Sequence, residues 1–343
     1  MIFYLLFATL LIAMTYTRVA PVFVFIFLFL FSALRSGIGW DYYSYYSIIE
    51  NTKVGFFDHN FERFSIFWKF LIDSSNELDE PQVFFIIASF LTIFFIYKGI
   101  RSERKKPELL IYALFPMFYL ASFSTIRHAL AVSFVFYSLN YLKEKKIITW
   151  LLLVFLATYF HFSALISLLF IIPAYYPIKK TKYMLIMLVA VYILISTDIL
   201  ISVEYVVNNY LGQYSKYLEK DNFGSKITLL YIFIAFIFIY FRNKLIAKNE
   251  NNRLYVDIYL YGVILVIVLS QFGSVLMRLS SYFLIFSIVV VPEISRMFTG
   301  KNKILVNLLT VFFLVGIFIG YLFLIKDTEN SDARYVPYKT ILQ

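Results

Sequence analysis

The sequence predicts an all-α, polytopic membrane protein with about 12 transmembrane helices and further helices lying in the interface on its outer face. Hydrophobic residues make up 61% of the chain and charged residues 15%, with a mean hydropathy of +0.78. Soluble domains have about 45–50% and about 25%, so this chain has too little polar surface to remain in water. Lys and Arg gather in short segments between long apolar runs, as in cytoplasmic loops. We therefore expect one membrane domain over residues 1–343, and the basic pI near 9.4 does not imply a nucleic-acid partner.

A helix that crosses the bilayer needs roughly 17–25 residues, most of them apolar. Residues 1–16 lack the basic start and the A-x-A-like cleavage site of a signal peptide, so we expect a retained helix. The apolar run at 147–178 is interrupted at His161 and Pro173, which favours two short helices meeting near His161. The predicted spans are 1–16, 19–34, 81–97, 108–122, 124–142, 147–160, 162–178, 183–201, 226–241, 254–273, 276–292 and 304–325.

The basic loops predict which side of the membrane each connection occupies. More than half of the 31 Lys and Arg residues lie in five loops, and two predicted spans separate each loop from the next. The positive-inside rule then places all five in the cytoplasm. The long connections 35–80 and 202–225, with both termini, are expected outside, where we predict that these two loops form part of a site. The five loops are 98–106, 143–146, 179–182, 242–253 and 296–303.

Both outer connections carry helical patterns. In 61–69, Glu62, Ser65 and Lys69 share one helical face and aromatic residues occupy the rest, which is typical of a helix lying in the interface. Apolar residues recur at three- and four-residue steps over 203–218, which predicts a second surface helix.

Three arginines, Arg35, Arg127 and Arg278, lie at the outer ends of predicted spans. Charge at a bilayer boundary is costly and usually functional, and Arg binds phosphate through paired donors. We predict that these side chains bind a phosphate-bearing lipid. A plainer alternative stays open, in which each arginine only anchors its helix at the headgroups.

Asp41, His161 and Glu62 are the candidate general bases on the same face. Asp41 leads because it follows the turn at Gly37 and Gly39, although a guanidinium close by makes a carboxylate a weaker base. Asp41 as a helix cap and His161 as a structural residue are the alternatives.

Several chemistries are not expected. The chain has no Cys, and its three His residues show no short-range spacing, so we predict neither a disulfide nor a metal site. It contains no P-loop, no G-x-G-x-x-G strand–helix unit and no HExxH, so we expect no cofactor.

Taken in order, these segments resemble the EpsG family of the Wzy-type polysaccharide polymerases along nearly the whole chain. Trp40, Arg63 and His128 depart from the residues that the resemblance leads us to expect, which are a small or hydroxyl residue, Pro and Gln. The matching residues are Arg35-x-Gly37-x-Gly39-x-Asp41-Tyr42-x-x-Tyr45, Glu62-x-Phe64, Ile126-Arg127-x-Ala129-Leu130-Ala131, His161-x-Ser163-Ala164-Leu165, Arg278-x-x-x-Tyr282 and Val336-Pro337-Tyr338.

The resemblance implies a membrane glycosyltransferase at the outer face of the bacterial inner membrane. It would transfer a growing glycan from undecaprenyl diphosphate onto a lipid-linked oligosaccharide repeat unit, producing an O-antigen, capsule or exopolysaccharide. The lipid-linked oligosaccharide, membrane lipids and a chain-length regulator protein are the implied partners. Three arginines can neutralise a diphosphate, so we expect no metal, and Tyr42, Tyr45 and Tyr282 are expected to contact sugar rings or lipid.

Two other classes of function remain as alternatives. A flippase or transporter of the same lipid should place charges deep in the bilayer and show internal repeats, neither of which the sequence displays. A membrane acyltransferase or ligase acting on the same glycan remains open because such enzymes often depend on an intramembrane His, here His161. A structural scaffold is the weakest alternative.

Overall fold

The computed structural model describes residues 1–57, 59–100, 105–195, 223–270, 274–326 and 335–342. It is 80% helical, and the described residues form no β-strand, which confirms the all-α prediction. In chain order the helices are α1 (Ile2–Tyr16), α2 (Pro21–Ala33), α3 (Tyr42–Lys53), α4 (His59–Glu62), α5 (Ile66–Glu77), α6 (Gln82–Gly99), α7 (Lys106–Leu114), α8 (Ala121–Ser124), α9 (Ile126–Lys143), α10 (Ile147–Phe160), a 3₁₀-helix (Phe162–Phe170), α11 (Ile171–Tyr175), α12 (Thr181–Ile195), α13 (Phe223–Lys248), α14 (Asn251–Leu269), α15 (Ser274–Met277), a 3₁₀ turn (Arg278–Ser280), α16 (Ser281–Leu284), α17 (Ser287–Ser295) and α18 (Gly300–Lys326).

Five helical segments of the described residues are long and apolar enough to cross a membrane. Further apolar helices, α1, α2 and α10 among them, have only 10–17 residues. The chain therefore has the helices of a membrane protein, but the prediction of about 12 spans is not confirmed. The five segments are Gln82–Gly99, Ile227–Lys248, Asn251–Leu269, Arg278–Ser295 and Gly300–Ile325.

Two predicted helices are broken. The span 108–122 is wrong as one helix, because α7 ends at Leu114 and Phe115 adopts extended backbone (ψ 101°). Phe115 precedes Pro116, whose ring disfavours helical backbone in the residue before it. The nine residues of α7 extend only about 13 Å, less than half of a bilayer core.

The predicted interfacial helix at 61–69 is also wrong as a single element. The chain leaves α4 after Glu62, and Ser65 is extended (ψ 162°) before α5 begins at Ile66. Glu62 is therefore not on the same helix as Lys69. The second predicted surface helix, 203–218, lies outside the described residues. The break at His161 is confirmed, because α10 ends at Phe160 and His161 is extended (φ −159°, ψ 126°).

The structure divides into two compact units: unit 1 is Met1–Leu165 with Phe298–Gln343, and unit 2 is Ile166–Met297. The expectation of a single membrane domain stays a prediction.

In unit 1, α6 and α9 pack side by side, and their ends define two opposite ends of the unit. At one end, Asn140 near the end of α9 donates its Nδ2 to the Gly99 carbonyl at 3.0 Å, and Lys105 Nζ donates to the Tyr97 carbonyl at 2.9 Å. Lys106 joins the end of α1 by donating to the Met14 carbonyl at 3.2 Å. The described residues of two basic loops, 98–100 with 105–106, and 143–146, therefore lie at this end of unit 1, which we call its basic end.

The opposite end of unit 1 is organised by the turn between α2 and α3. Gly39 has φ +101°, and the next residue, Trp40, donates its backbone N–H to the Ser124 hydroxyl at 3.0 Å. A Cβ on Gly39 would lie 2.2 Å from the Phe123 carbonyl oxygen. Only glycine fits here, because both the backbone angle and the contact exclude a side chain.

The C-terminal segment 335–342 returns to this end of unit 1. Its Lys339 carbonyl accepts from the Ser36 N–H at 3.0 Å, and its Ile341 N–H donates to the Leu34 carbonyl at 3.0 Å. The Tyr335 backbone carbonyl accepts a hydrogen bond from the Tyr4 hydroxyl at 2.8 Å. The C-terminal residues thus cover the exit of α2.

Unit 2 is anchored by a buried ion pair between its two long helices. Arg242 of α13 lies 3.1 Å from Asp257 of α14, both fully enclosed, and the second Asp257 oxygen accepts the Ile178 N–H at 3.0 Å. The sequence pattern assigned Arg242 to a basic loop. Instead it lies inside α13, where Asp257 compensates its buried charge.

Basic residues from separate parts of the chain meet at one end of unit 2. Thr181 donates to the Asn243 side chain at 3.1 Å, which joins the loops 179–182 and 242–253. Glu293 lies 3.1 Å from Lys248 and 2.6 Å from Arg296. Within each unit, therefore, basic residues gather at one end, and the side of the membrane on which they lie stays a prediction.

We expect Gly39→Ala to destabilise the protein more than Gly55→Ala. Gly55 also has positive φ (+80°) but has no atom within 4 Å of a Cβ, so its variant reports the backbone strain alone, about 1–2 kcal/mol. Gly39→Ala adds the overlap with Phe123. The measurement is the melting temperature of purified protein in detergent, and equal shifts for the two variants would show that the Phe123 contact is unimportant.

We expect Asp257→Asn to cost about 3–5 kcal/mol of stability, because it leaves Arg242 buried without a counter-charge. The matched control is Glu250→Gln, which removes the exposed partner of Arg253 in the same unit and should cost no more than about 1 kcal/mol. The double variant Arg242→Met/Asp257→Leu should recover most of the loss. Equal melting temperatures for Asp257→Asn and wild type would show that the Arg242–Asp257 ion pair does not stabilise unit 2.

Candidate functional site

The end of unit 1 opposite its basic loops carries a group of polar side chains around the start of α9. These residues come from four separate parts of the chain: the turn into α3, the body of α3, the first turn of α9 and the residues after α10. We call them the polar cluster. It consists of Asp41, Tyr45, Arg127, His128, His161 and Ser163.

Arg127, in the first turn of α9, is held by an aromatic face and a phenol. Its guanidinium carbon lies 4.5 Å from the centre of the Phe64 ring, and it hydrogen-bonds the Tyr45 side chain. The α10 end is tied to the same place, because Trp68 donates its Nε1–H to the Phe160 carbonyl at 2.9 Å. Arg127 is half-buried.

Tyr45 connects Arg127 with Asp41. Its ring stacks between Phe64 (5.8 Å between centres) and Phe84 (4.9 Å). Burial raises the pKa of the Tyr45 hydroxyl, the positive charge of Arg127 and its hydrogen bond lower it, and the Asp41 carboxylate raises it. Asp41 therefore lies within electrostatic reach of the phenol. It precedes α3 at the N-cap position without a side-chain capping hydrogen bond to that helix.

His128 and His161 face the same serine hydroxyl. Ser163 Oγ lies 2.6 Å from Nδ1 of His161 and 3.3 Å from Nδ1 of His128. The Ser163 backbone N–H also donates to Nδ1 of His161, at 3.3 Å. The two imidazole rings stand 5.2 Å apart and almost perpendicular. This joins the start of α9 to the residue that follows α10.

Arg35 is buried, with 1% of its surface exposed. Its Nη1 donates to the Ser32 carbonyl at 2.5 Å and to the Ser89 hydroxyl at 3.1 Å, and its guanidinium lies 4.7 Å from the Phe123 ring centre. Burial lowers the pKa of this guanidinium. A substrate phosphate could reach it only if covering residues moved, so its predicted binding role requires a rearrangement of this end.

Two of the tyrosines predicted to contact substrate are buried, whereas aromatic residues next to them are exposed. Tyr42 and Tyr45 are both buried, and the Tyr42 hydroxyl donates to the Gln82 side chain at 3.1 Å. Three neighbouring aromatic side chains of the same turn and helix are exposed instead. They are Trp40, Tyr43 and Tyr46.

The remaining predicted site residues are Glu62, Arg278 and Tyr282. Glu62 is exposed at the end of α4. Arg278 is exposed and Tyr282 buried in unit 2, where Phe283 packs so closely on Gly262 that a Cβ there would lie 2.5 Å from it. The substrate-binding roles of Arg278 and Tyr282 stay predictions.

Sequence reasoning did not assign His128 and Ser163 to the site. Their signal was adjacency, since His128 follows Arg127 and Ser163 lies two residues after His161. The sequence does not show that the start of α9 packs against the residues that follow α10. In the part of the chain that the structure describes, no three His, Asp or Glu side chains are grouped closely enough to hold a metal ion.

Comparison with protein families gives one match. The model of the EpsG family matches residues 18–340, nearly the whole chain. EpsG-type proteins are Wzy-like polymerases. Neither the curated proteins nor the solved structures give a significant match.

Proposed function

We propose that this chain, which belongs to the EpsG family, is a membrane polysaccharide polymerase that transfers a growing glycan from undecaprenyl diphosphate onto a lipid-linked repeat unit. The observation that carries the proposal is Arg127, a half-buried arginine at a helix start that belongs to one cluster with the Asp41 carboxylate and the His128 and His161 imidazoles. Such an arrangement can bind a diphosphate and take a proton next to it.

Arg127 suits the donor diphosphate for two reasons. The guanidinium presents more N–H donors than the Tyr45 hydroxyl can accept, in a fork that matches phosphate oxygens. It also sits in the first turn of α9, an 18-residue helix whose N-terminal N–H groups and dipole favour an anion. Negative charge that develops on the leaving diphosphate would be stabilised there without reorganisation.

The acceptor sugar would approach over the exposed aromatic residues of the turn into α3. Its hydroxyl is a weak nucleophile and needs a base within hydrogen-bond reach. Asp41 and His161 of the polar cluster, and Glu62 on α4, are the candidates. Trp40, Tyr43 and Tyr46 offer apolar ring faces on which sugar rings can stack.

The basic loops support an outer-face site. In unit 1 they lie at the end opposite the polar cluster, separated by the length of α9, about 27 Å. A cytoplasmic position for these loops places the polar cluster at the outer surface of the inner membrane. That is where a flipped, lipid-linked repeat unit would be available.

We expect Arg127→Lys to lower the polymerisation rate by roughly 10²–10³, because Lys keeps the charge but not the planar fork. The assay uses purified protein in detergent with lipid-linked repeat units, and measures glycan length on the lipid diphosphate. The matched control is Arg253→Lys, which changes an arginine in the first turn of α14 and should leave the rate unaltered. A wild-type rate for Arg127→Lys would make Arg127 a membrane anchor.

The same assay separates the alternatives. We propose a metal-independent reaction, since arginines can supply the positive charge, and so expect elongation to continue in EDTA. Activity lost in EDTA and restored by Mg²⁺ or Mn²⁺ would contradict this. Wild-type protein that elongates nothing but moves the lipid across vesicle membranes would be a transporter.

The proposed orientation predicts the labelling of single cysteines, which the Cys-free chain allows. Ser47→Cys, exposed on α3, should react with a membrane-impermeant maleimide on intact spheroplasts. Glu144→Cys and Asn249→Cys, exposed in basic loops of units 1 and 2, should react only after permeabilisation. Labelling of Glu144→Cys in intact cells would invert the proposed topology.

A further inference from the structure

A chain of hydrogen bonds joins the C-terminal segment to the turn that leads into α3. The Trp40 backbone N–H donates to the Ser124 hydroxyl at 3.0 Å. The Ser124 hydroxyl is in hydrogen-bond contact with the Tyr335 hydroxyl. Tyr335 in turn donates its hydroxyl hydrogen to the Leu120 carbonyl at 3.0 Å. All four residues belong to unit 1, so the chain lies within one compact unit.

The carbonyl at the end of this chain determines the direction of each bond. A carbonyl only accepts, so the single hydrogen of the Tyr335 hydroxyl is directed at Leu120. The Ser124 hydroxyl therefore donates to Tyr335, and a Ser124 lone pair accepts the Trp40 N–H. The Leu120 carbonyl also accepts the Phe123 N–H, which its second lone pair allows. Each hydrogen is used once, and a fully satisfied chain of this kind is rigid.

Tyr335 is itself held through its backbone and its ring. Only 2% of its surface is exposed, and its backbone carbonyl accepts the Tyr4 hydroxyl at 2.8 Å. The Tyr335 ring lies nearly parallel to the Phe123 ring, at 11° and 6.3 Å between centres. Phe123 also supplies the carbonyl oxygen that approaches Gly39. Tyr335 therefore packs on the residue that supports the turn, and its hydroxyl has a defined position.

We propose that Tyr335 is a positioning residue of the polymerase, a proposal that rests on the proposed function. Through Ser124 it holds the Trp40 backbone, and with it the adjacent Asp41, at the end of unit 1 where the acceptor sugar would bind. Tyr335 does not touch the substrate, because its hydroxyl is committed to Ser124 and Leu120.

The Tyr335 hydroxyl also determines where the Ser124 hydroxyl points. A helical serine can donate to the carbonyl four residues earlier, which for Ser124 is that of Leu120. Tyr335 occupies this carbonyl and offers Ser124 an acceptor of its own. Without the Tyr335 hydroxyl, Ser124 would turn back to Leu120, and the Trp40 N–H would lose its acceptor. A displacement of about 1 Å at a reacting centre can lower a rate by about 10²-fold.

The first test follows the Trp40 amide and needs no substrate. Protein labelled with ¹⁵N at tryptophan has three backbone signals, from Trp40, Trp68 and Trp150, and the variant Trp40→Phe identifies the first. We expect Tyr335→Phe to speed hydrogen exchange of the Trp40 amide by roughly 2- to 10-fold, as for the loss of one hydrogen bond. An unchanged Trp40 exchange rate overturns the proposal whether or not the protein polymerises.

The matched control is Tyr338→Phe. Tyr338 is a second buried tyrosine of the C-terminal segment, and its hydroxyl donates to a carbonyl of α2. Its replacement removes one buried hydroxyl from the same segment and leaves the link to Trp40 intact. We expect a similar fall in melting temperature in the two variants, and faster Trp40 exchange only in Tyr335→Phe.

The second test measures turnover with lipid-linked repeat units at a temperature where every variant is folded. We expect Tyr335→Phe to lower kcat by about 10- to 10²-fold with KM little changed, because Arg127, the proposed diphosphate ligand, is untouched. Tyr338→Phe should keep the wild-type kcat. Ser124→Ala should match Tyr335→Phe, and the double variant should be no slower than either single variant, because both act through one link.

These outcomes separate the inference from the proposed function. Wild-type kcat in Tyr335→Phe, or losses that multiply in the double variant with Ser124→Ala, overturns this inference alone. Equal losses of turnover in Tyr335→Phe and Tyr338→Phe also overturn it, because the C-terminal segment would then act only on the fold. Wild-type protein that elongates nothing overturns the proposed function and the inference together.

Discussion

The contact between Gly39 and the Phe123 carbonyl is the constraint on which the polar cluster depends. It brings the turn after α2 against the residues that lead into α9, and the Trp40 N–H bond to Ser124 fixes that approach. Because α3 begins two residues after Trp40, its Tyr45 lies against Arg127 in the first turn of α9. The positions of Asp41 and Tyr45 relative to Arg127 therefore follow from a close backbone approach that leaves no room for a side chain at position 39.

The sequence could predict what depends on local pattern. Apolar runs gave α1, α2, α6 and α9 closely, since hydrophobic length fixes a helix that crosses or enters a membrane. The break at Phe115 was also readable in principle, because the restriction imposed by Pro116 is local. The prediction of a single helix at 61–69 was wrong for a different reason. Its aromatic residues serve two separate elements, and periodicity alone does not reveal the extended Ser65 between them.

What the sequence could not predict depends on distant segments. Arg35 is enclosed by residues of α2 and α6, and the C-terminal segment 335–342, about 300 positions away, pairs with the backbone beside it. Its burial cannot be inferred from its neighbours in sequence. His128 and Ser163 are similar, because their relation exists only once α9 meets the end of α10. The sequence pattern identified most residues of the polar cluster, but the packing of distant segments determines which of them are in contact.

Arg242 and Arg127 show two uses of an arginine in an apolar protein. Arg242 is matched by the Asp257 carboxylate inside unit 2, which makes the pair nearly neutral and suits it to holding helices together. Arg127 rests instead on a ring face and a phenol, partners that orient the guanidinium and leave it charged. In surroundings of low dielectric such a charge attracts an anion far more strongly than it would in water. In the proposed reaction the diphosphate of a lipid-linked glycan would supply that anion, and the attraction would be greatest as the diphosphate departs during sugar transfer.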